Sequence, residues 1–141
     1  MTLGSMIAIL CVVCCSPRSV PPGTASTQKI LFGQGGGVTG IRIEYILEES
    51  GHLFRQHAWS DSVTYLQTLD PRFVAQTFRN FTNLGLDTVS CNNPGDLYYF
   101  IEMHKDGKSY SLVWGYPGFK PPEEVVQYFN NLYRSAKRHQ Q

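Results

Sequence analysis

The sequence predicts an α+β domain over residues 29–141: an antiparallel sheet of about five strands, in the order β-β-β-α-β-β-α, with two helices on one face. Three observations predict it. Asp106-Gly107 joins two aromatic-rich runs and is a preferred two-residue hairpin loop. Ser50-Gly51 separates two further strand-like runs, Ile41–Glu49 and His52–Trp59. Asp70-Pro71 and Pro121-Pro122 each open a run of apolar residues at helical spacing.

Residues 1–28 stand apart from that domain. Met6 to Val13 is an apolar run about half the roughly 20 residues a bilayer span needs, which suits the core of a secretory signal. Val12-Val13-Cys14-Cys15 resembles the lipobox of bacterial lipoproteins, with an aliphatic residue three before the modified cysteine. That resemblance implies acylation at Cys15 and a signal segment over residues 1–15. Cys14 stands just before the cut, and Met1–Ser5 contains no Lys or Arg. Residues 16–28 hold three prolines among Ser, Thr and Gly, a composition that buries too little apolar surface to offset chain entropy. They read as a flexible linker. The alternative, a buried N-terminal strand over Met6–Cys15, fits poorly with such a tract behind it. The expected location is the cell envelope, exported and lipid-anchored, on the periplasmic side because no acidic run follows Cys15.

The domain's elements follow in order. Lys29–Phe32 is a short strand, after which Phe32-Gly33-Gln34-Gly35-Gly36-Gly37-Val38-Thr39-Gly40 formally contains G-x-G-x-x-G. A dinucleotide fingerprint must open a helix, whereas Ile41-Arg42-Ile43-Glu44-Tyr45 alternates as a strand, so a glycine-rich turn or bulge is expected. Gly35, Gly36 and Gly37 remain candidates for a backbone contact to an anion or peptide. Pairing about Ser50-Gly51 sets Leu47 against Phe54, Tyr45 against Gln56 and Ile43 against Ala58. On the other face it sets Glu44 against His57 and Arg42 against Trp59, a cation–π candidate.

Asp70 is the expected N-cap of a helix whose stripe is Val74, Thr77-Phe78, Phe81 and Leu84, stopped at Gly85. Cys91-Asn92-Asn93-Pro94-Gly95-Asp96 reads as a turn cluster. Pairing about Asp106-Gly107 sets Met103 against Tyr110, Ile101 against Leu112 and Tyr99 against Trp114 on an apolar face, with His104–Ser109 and Glu102–Ser111 opposite. The last helix opens at Glu123-Glu124 and buries Val125-Val126, Phe129, Leu132-Tyr133 and Ala136.

Function is thinly written in these residues. Net charge is +1 with the basic residues scattered, which argues against a nucleic-acid partner. The four histidines, His52, His57, His104 and His139, lack metal-ligand spacing, so neither a metal nor a cofactor is expected. Three of the four cysteines lie in the leader; Cys91 is left as a small buried residue or a lone nucleophile. Tyr98, Tyr116 and Phe119 are aromatics not committed to the core by register, and could meet a protein, peptide or glycan.

Phe-Gly-x-Gly-Gly-Gly-x-Thr-Gly at 32–40, Pro94-Gly95-Asp96-Leu97-Tyr98-Tyr99-Phe100-Ile101, Trp114-Gly115 and Pro121-Pro122 together resemble a family of small, mostly uncharacterised lipoproteins of Bacteroidetes-type bacteria. The resemblance spans Lys29 to Arg134 and implies the lipoprotein architecture and a bacterial setting, where the sequon Asn80-Phe81-Thr82 would carry no glycan. It brings no activity. Two functions of different class follow: a non-catalytic binding or structural module using the glycine segment and Trp114–Phe119, or a hydrolase-type enzyme built on Asp96, His104 and Cys91.

Overall fold

A computed structural model describes residues 28–138. The signal segment, Cys15 and the linker up to residue 27 lie outside the described residues. Gln28, assigned above to the linker, is instead the first residue of a strand.

One mostly antiparallel sheet of seven strands carries two helices. The strands are β1 (Gln28–Gly36), β2 (Ile43–Glu48), β3 (His52–Gln56), β4 (Val63–Thr68), β5 (Cys91–Asn93), β6 (Leu97–Lys105) and β7 (Lys108–Trp114). The helices are α1 (Pro71–Asn83) and α2 (Glu123–Lys137). Spatial order is β4-β3-β2-β1-β6-β7-β5, so β1 is the central strand, paired to both β2 and β6. Only β5 runs parallel to its neighbour.

Two strands exceed the expected five. β4 alternates poorly in sequence and contains an irregularity where Leu53 pairs with Gln67 but Phe54 with Tyr65, leaving Leu66 as an extra residue. β5 is three residues of a segment read as a turn, and it survives by adding to the edge of β7.

The β6–β7 pairing is the one expected from Asp106-Gly107 in every position, Tyr99 opposite Trp114 through Lys105 opposite Lys108. The β2–β3 pairing is not. Gly51 lies at φ +91° and its amide donates to the Glu48 carbonyl at 2.9 Å, so the loop is a type I turn closed by a left-handed glycine, three residues long rather than two. The register therefore moves by one: Leu47 faces Leu53, Tyr45 faces Arg55 and Glu44 faces Gln56. Neither the Glu44–His57 nor the Arg42–Trp59 pair forms. His57 Nε2 instead meets Thr64 Oγ1 at 2.7 Å, and the Arg42 guanidinium lies 3.7 Å over the Phe100 ring.

α1 begins as its capping signals require. Asp70 accepts from the Arg72 and Phe73 amides at 2.9 and 3.2 Å, with Pro71 in the first turn. It ends in a complete Schellman motif: Gly85 (φ +68°) donates to Thr82 O, and Leu86 donates to Phe81 O, with Phe81 and Leu86 both buried. Alternate residues of the central strands, Ile30, Phe32, Tyr45, Leu47, Leu53, Ile101 and Met103, form one buried cluster with Val74 and Phe81 of α1 and Val125, Phe129 and Leu132 of α2. Tyr99 sits on this face as expected, stacked on Trp114 at 5.8 Å, but at the sheet's end it stays 38 % exposed.

Candidate functional site

The glycine-rich segment is mostly strand. β1 continues through Gly36, because on the face away from the core Gly33 and Gly35 stand opposite Phe100 and Tyr98 of β6, whose rings occupy the missing side chains' space. A Cβ on Gly35 would sit 2.5 Å from Tyr98 Oη, and one on Gly33 would run into the backbone carbonyl of Ile43 and lie 3.0 Å from Phe100 Cζ. Gly36 and Gly37 adopt positive φ where the chain leaves the sheet, and the Gly37 amide donates to Asp96 O at 2.6 Å. That amide is thus committed within the fold, Gly35 accommodates the Tyr98 ring, and Gly33 admits the close approach of the Ile43 backbone.

What the segment does is build one end of the sheet. Register places the end of β1, the start of β2, the β3–β4 loop, the start of β6 and the end of β7 at the same end, opposite to the one where Gln28 pairs with Lys105. Large exposed apolar side chains collect there: Trp59 (82 % exposed), Leu97 (64 %) and Tyr116 (57 %), together with Val38 and Ile41. Trp59 and Tyr116 belong to loops four strand spacings apart, about 20 Å along this rim.

Beneath Trp59 a groove of about 520 Å³ is lined by Arg42, Glu44, Gln56, His57 and Asp61. Arg42 pairs with Glu44 at 2.7 Å, and its position over Phe100 holds the guanidinium flat against the sheet. An exposed indole beside a guanidinium, two carboxylates and a carboxamide offers a stacking surface plus planar hydrogen-bonding groups. Sugar hydroxyls and backbone amides both match that set.

At the rim's other side the Tyr116 amide donates to Asn93 O at 3.1 Å and the Phe119 amide to Tyr116 O at 3.0 Å, a turn that leaves the Tyr116 ring outside. Phe119, expected to be free, is partly buried against the core. Tyr98 is half-buried over Gly35, and Tyr116 alone of the three is exposed. Sequence reading missed Trp59, Leu97, Val38 and Ile41. The alternation of the sequence puts Trp59 in a strand opposite Arg42, whereas β3 stops at Gln56; Ser60-Asp61-Ser62 immediately behind Trp59 is the turn signal that marks it as loop.

Asp96, His104 and Cys91 do not converge. Asp96 precedes β6 at the rim, and His104 lies eight residues along the chain, about 26 Å away in an extended strand. His104 Nε2 is held by Glu102 Oε1 at 2.6 Å. Cys91 packs against the core, and its sulfur accepts from Asn93 Nδ2 at 2.8 Å. Among the described residues no group of three or more His, Cys, Asp or Glu could hold a metal ion, and no helix is long and apolar enough to cross a membrane. No family model and no curated protein matches the chain.

Proposed function

We propose that this chain is a lipid-anchored protein of the bacterial cell envelope, one of the small lipoproteins its motifs resemble, and that its domain is a non-catalytic binding module. The signal segment over residues 1–15 directs export, Cys15 carries the acyl chains on the periplasmic side, and residues 28–138 form a two-layer unit with both helices on one face. The partner is a protein, peptide or glycan that lies along the rim from Trp59 to Tyr116. The observation that carries the reading is the gathering of Val38, Ile41, Trp59, Leu97 and Tyr116 at the end of the sheet opposite Gln28. Exposed apolar side chains scattered singly are ordinary, whereas five of them at one end of the sheet, with a polar groove beside Trp59, have the anatomy of a recognition surface.

A photo-crosslinking residue placed at Trp59 or Tyr116 in the full-length protein, in living cells, tests it. The expected result is one discrete adduct from both rim positions and none from Thr82, an exposed residue of α1. The same adducts from all three positions, or none from the rim, would contradict the proposal.

A further inference from the structure

At the end of the sheet where Gln28 begins β1, a second surface has a different chemistry. Two contiguous grooves of about 510 and 400 Å³ share Phe73 and Arg138 and run between the start of α1 and the last turns of α2. Arg134, Lys137 and Arg138 line them from α2, and Arg72 is exposed on the neighbouring turn of α1. No carboxylate among the described residues forms a salt bridge with any of the four. Asp70 also lines the groove, but its Oδ1 is taken by two amides of α1. Lys137 lies over the Tyr133 ring at 4.7 Å.

Arg72 lies beside these grooves, next to Phe73, and lines neither. A cation in the first turn of a helix opposes the macrodipole, and α1 has no acidic residue in that turn, so local helix energetics do not explain it. An anion outside the domain would. The pairings Gln28–Lys105, Lys29–Glu48 and His52–Thr68 fix the geometry: the grooves, beginning at Gln67 and Thr68, open at the end from which the chain leads back toward Cys15. Whatever their conformation, the residues from Cys15 to Gln28 span at most about 45 Å, so an acylated Cys15 holds the domain within that distance of the bilayer, and the charge of the grooves selects which end faces it. The rim at the far end carries the carboxylates of Asp61 and Asp96 beside Arg42.

We propose that the Arg134–Lys137–Arg138 groove, flanked by Arg72, is a docking surface for anionic phospholipid headgroups, which seats the domain on the bilayer with the Trp59–Tyr116 rim pointing away. This rests on the lipid-anchored reading above. One acyl anchor plus a basic patch is a combination that holds proteins stably at anionic membranes, each cation near the surface strengthening attachment about fivefold.

Lysine acetylation of the full-length protein on vesicles tests the proposal, because Lys137 lies in the groove and Lys120 at the rim. On vesicles of phosphatidylcholine with phosphatidylglycerol, Lys137 should be protected about threefold or more relative to Lys120. The protection should vanish on phosphatidylcholine alone, in high salt, and in an Arg134→Glu/Arg138→Glu variant, whose changes are on exposed positions. An unchanged Lys137-to-Lys120 ratio on both vesicles overturns the proposal. So does equal protection by inorganic phosphate on neutral vesicles, which would make the groove a site for free phosphate. A chain that does not float with neutral vesicles contradicts the acyl anchor instead; the ratio on anionic vesicles is scored regardless.

Discussion

The Tyr128 hydroxyl donates to the backbone carbonyl of Thr77 at 3.1 Å, a buried bond that ties α2 to α1 above the sheet. Burial holds the Tyr128 phenol far above its ordinary range, and Tyr133 is also raised, by burial first and then by the neighbouring Tyr45 and Tyr99, with Arg55 opposing. Both groups bind their protons more tightly in the folded chain than in the unfolded one. Their contribution to stability is therefore complete below about pH 10, the unfolded value, and is lost as pH rises above it. Urea midpoints should fall as pH rises above about 10, and Tyr128→Phe should flatten that fall while costing about 1 kcal/mol at neutral pH. An unchanged slope in the variant would contradict the assignment.

Tyr133 Oη is buried and meets no hydrogen-bond partner among the described residues. A hydroxyl in that state costs about 1–3 kcal/mol, so Tyr133→Phe should leave stability unchanged or raise it by up to about 2 kcal/mol. Its ring contacts to Phe129 and Tyr45 are kept in the variant. Chemical denaturation measures it, and a loss above about 1 kcal/mol would show that the hydroxyl has a partner.

Gly35 and Tyr98 depend on each other. Gly35→Ala places a methyl against the Tyr98 ring and should cost about 1–3 kcal/mol, most of which Tyr98→Ala in the same chain should relieve. A double-mutant cycle reads the coupling. Additive effects would mean that the ring does not depend on the glycine's open space.

The caps of α1 give a further check. Asp70→Ala should lower stability by about 1 kcal/mol through two orphaned amides, and Gly85→Ala by a similar amount through its positive φ. Thermal unfolding of the two single variants and their combination should show additive losses, since the sites lie at opposite ends of the helix.

These tests also mark what could be read from the chain. Asp106-Gly107 and its flanking alternation carried one hairpin's register entirely, because turn chemistry and hydrophobic pattern agreed. At Ser50-Gly51 both a two-residue and a three-residue loop fit the local residues, and the three-residue form, closed by Gly51 at positive φ, sets Leu53 rather than Phe54 against Leu47 in the core. β4 and β5 were illegible for a related reason. Val63–Thr68 has an extra residue that breaks its alternation, and Cys91–Asn93 is a strand only because β7 offers an edge. The rim was legible at Tyr116 and missed at Trp59, whose exposure depends on where β3 stops.

The most direct measurement of the central claim is the intact mass of the protein recovered from membranes of the cells that produce it, with fragmentation of its first residues. The expected product begins at Cys15 and carries acyl groups there, and Cys15→Ala should release the protein from the membrane fraction. An unmodified chain beginning at Met1 and recovered in the soluble fraction would contradict it.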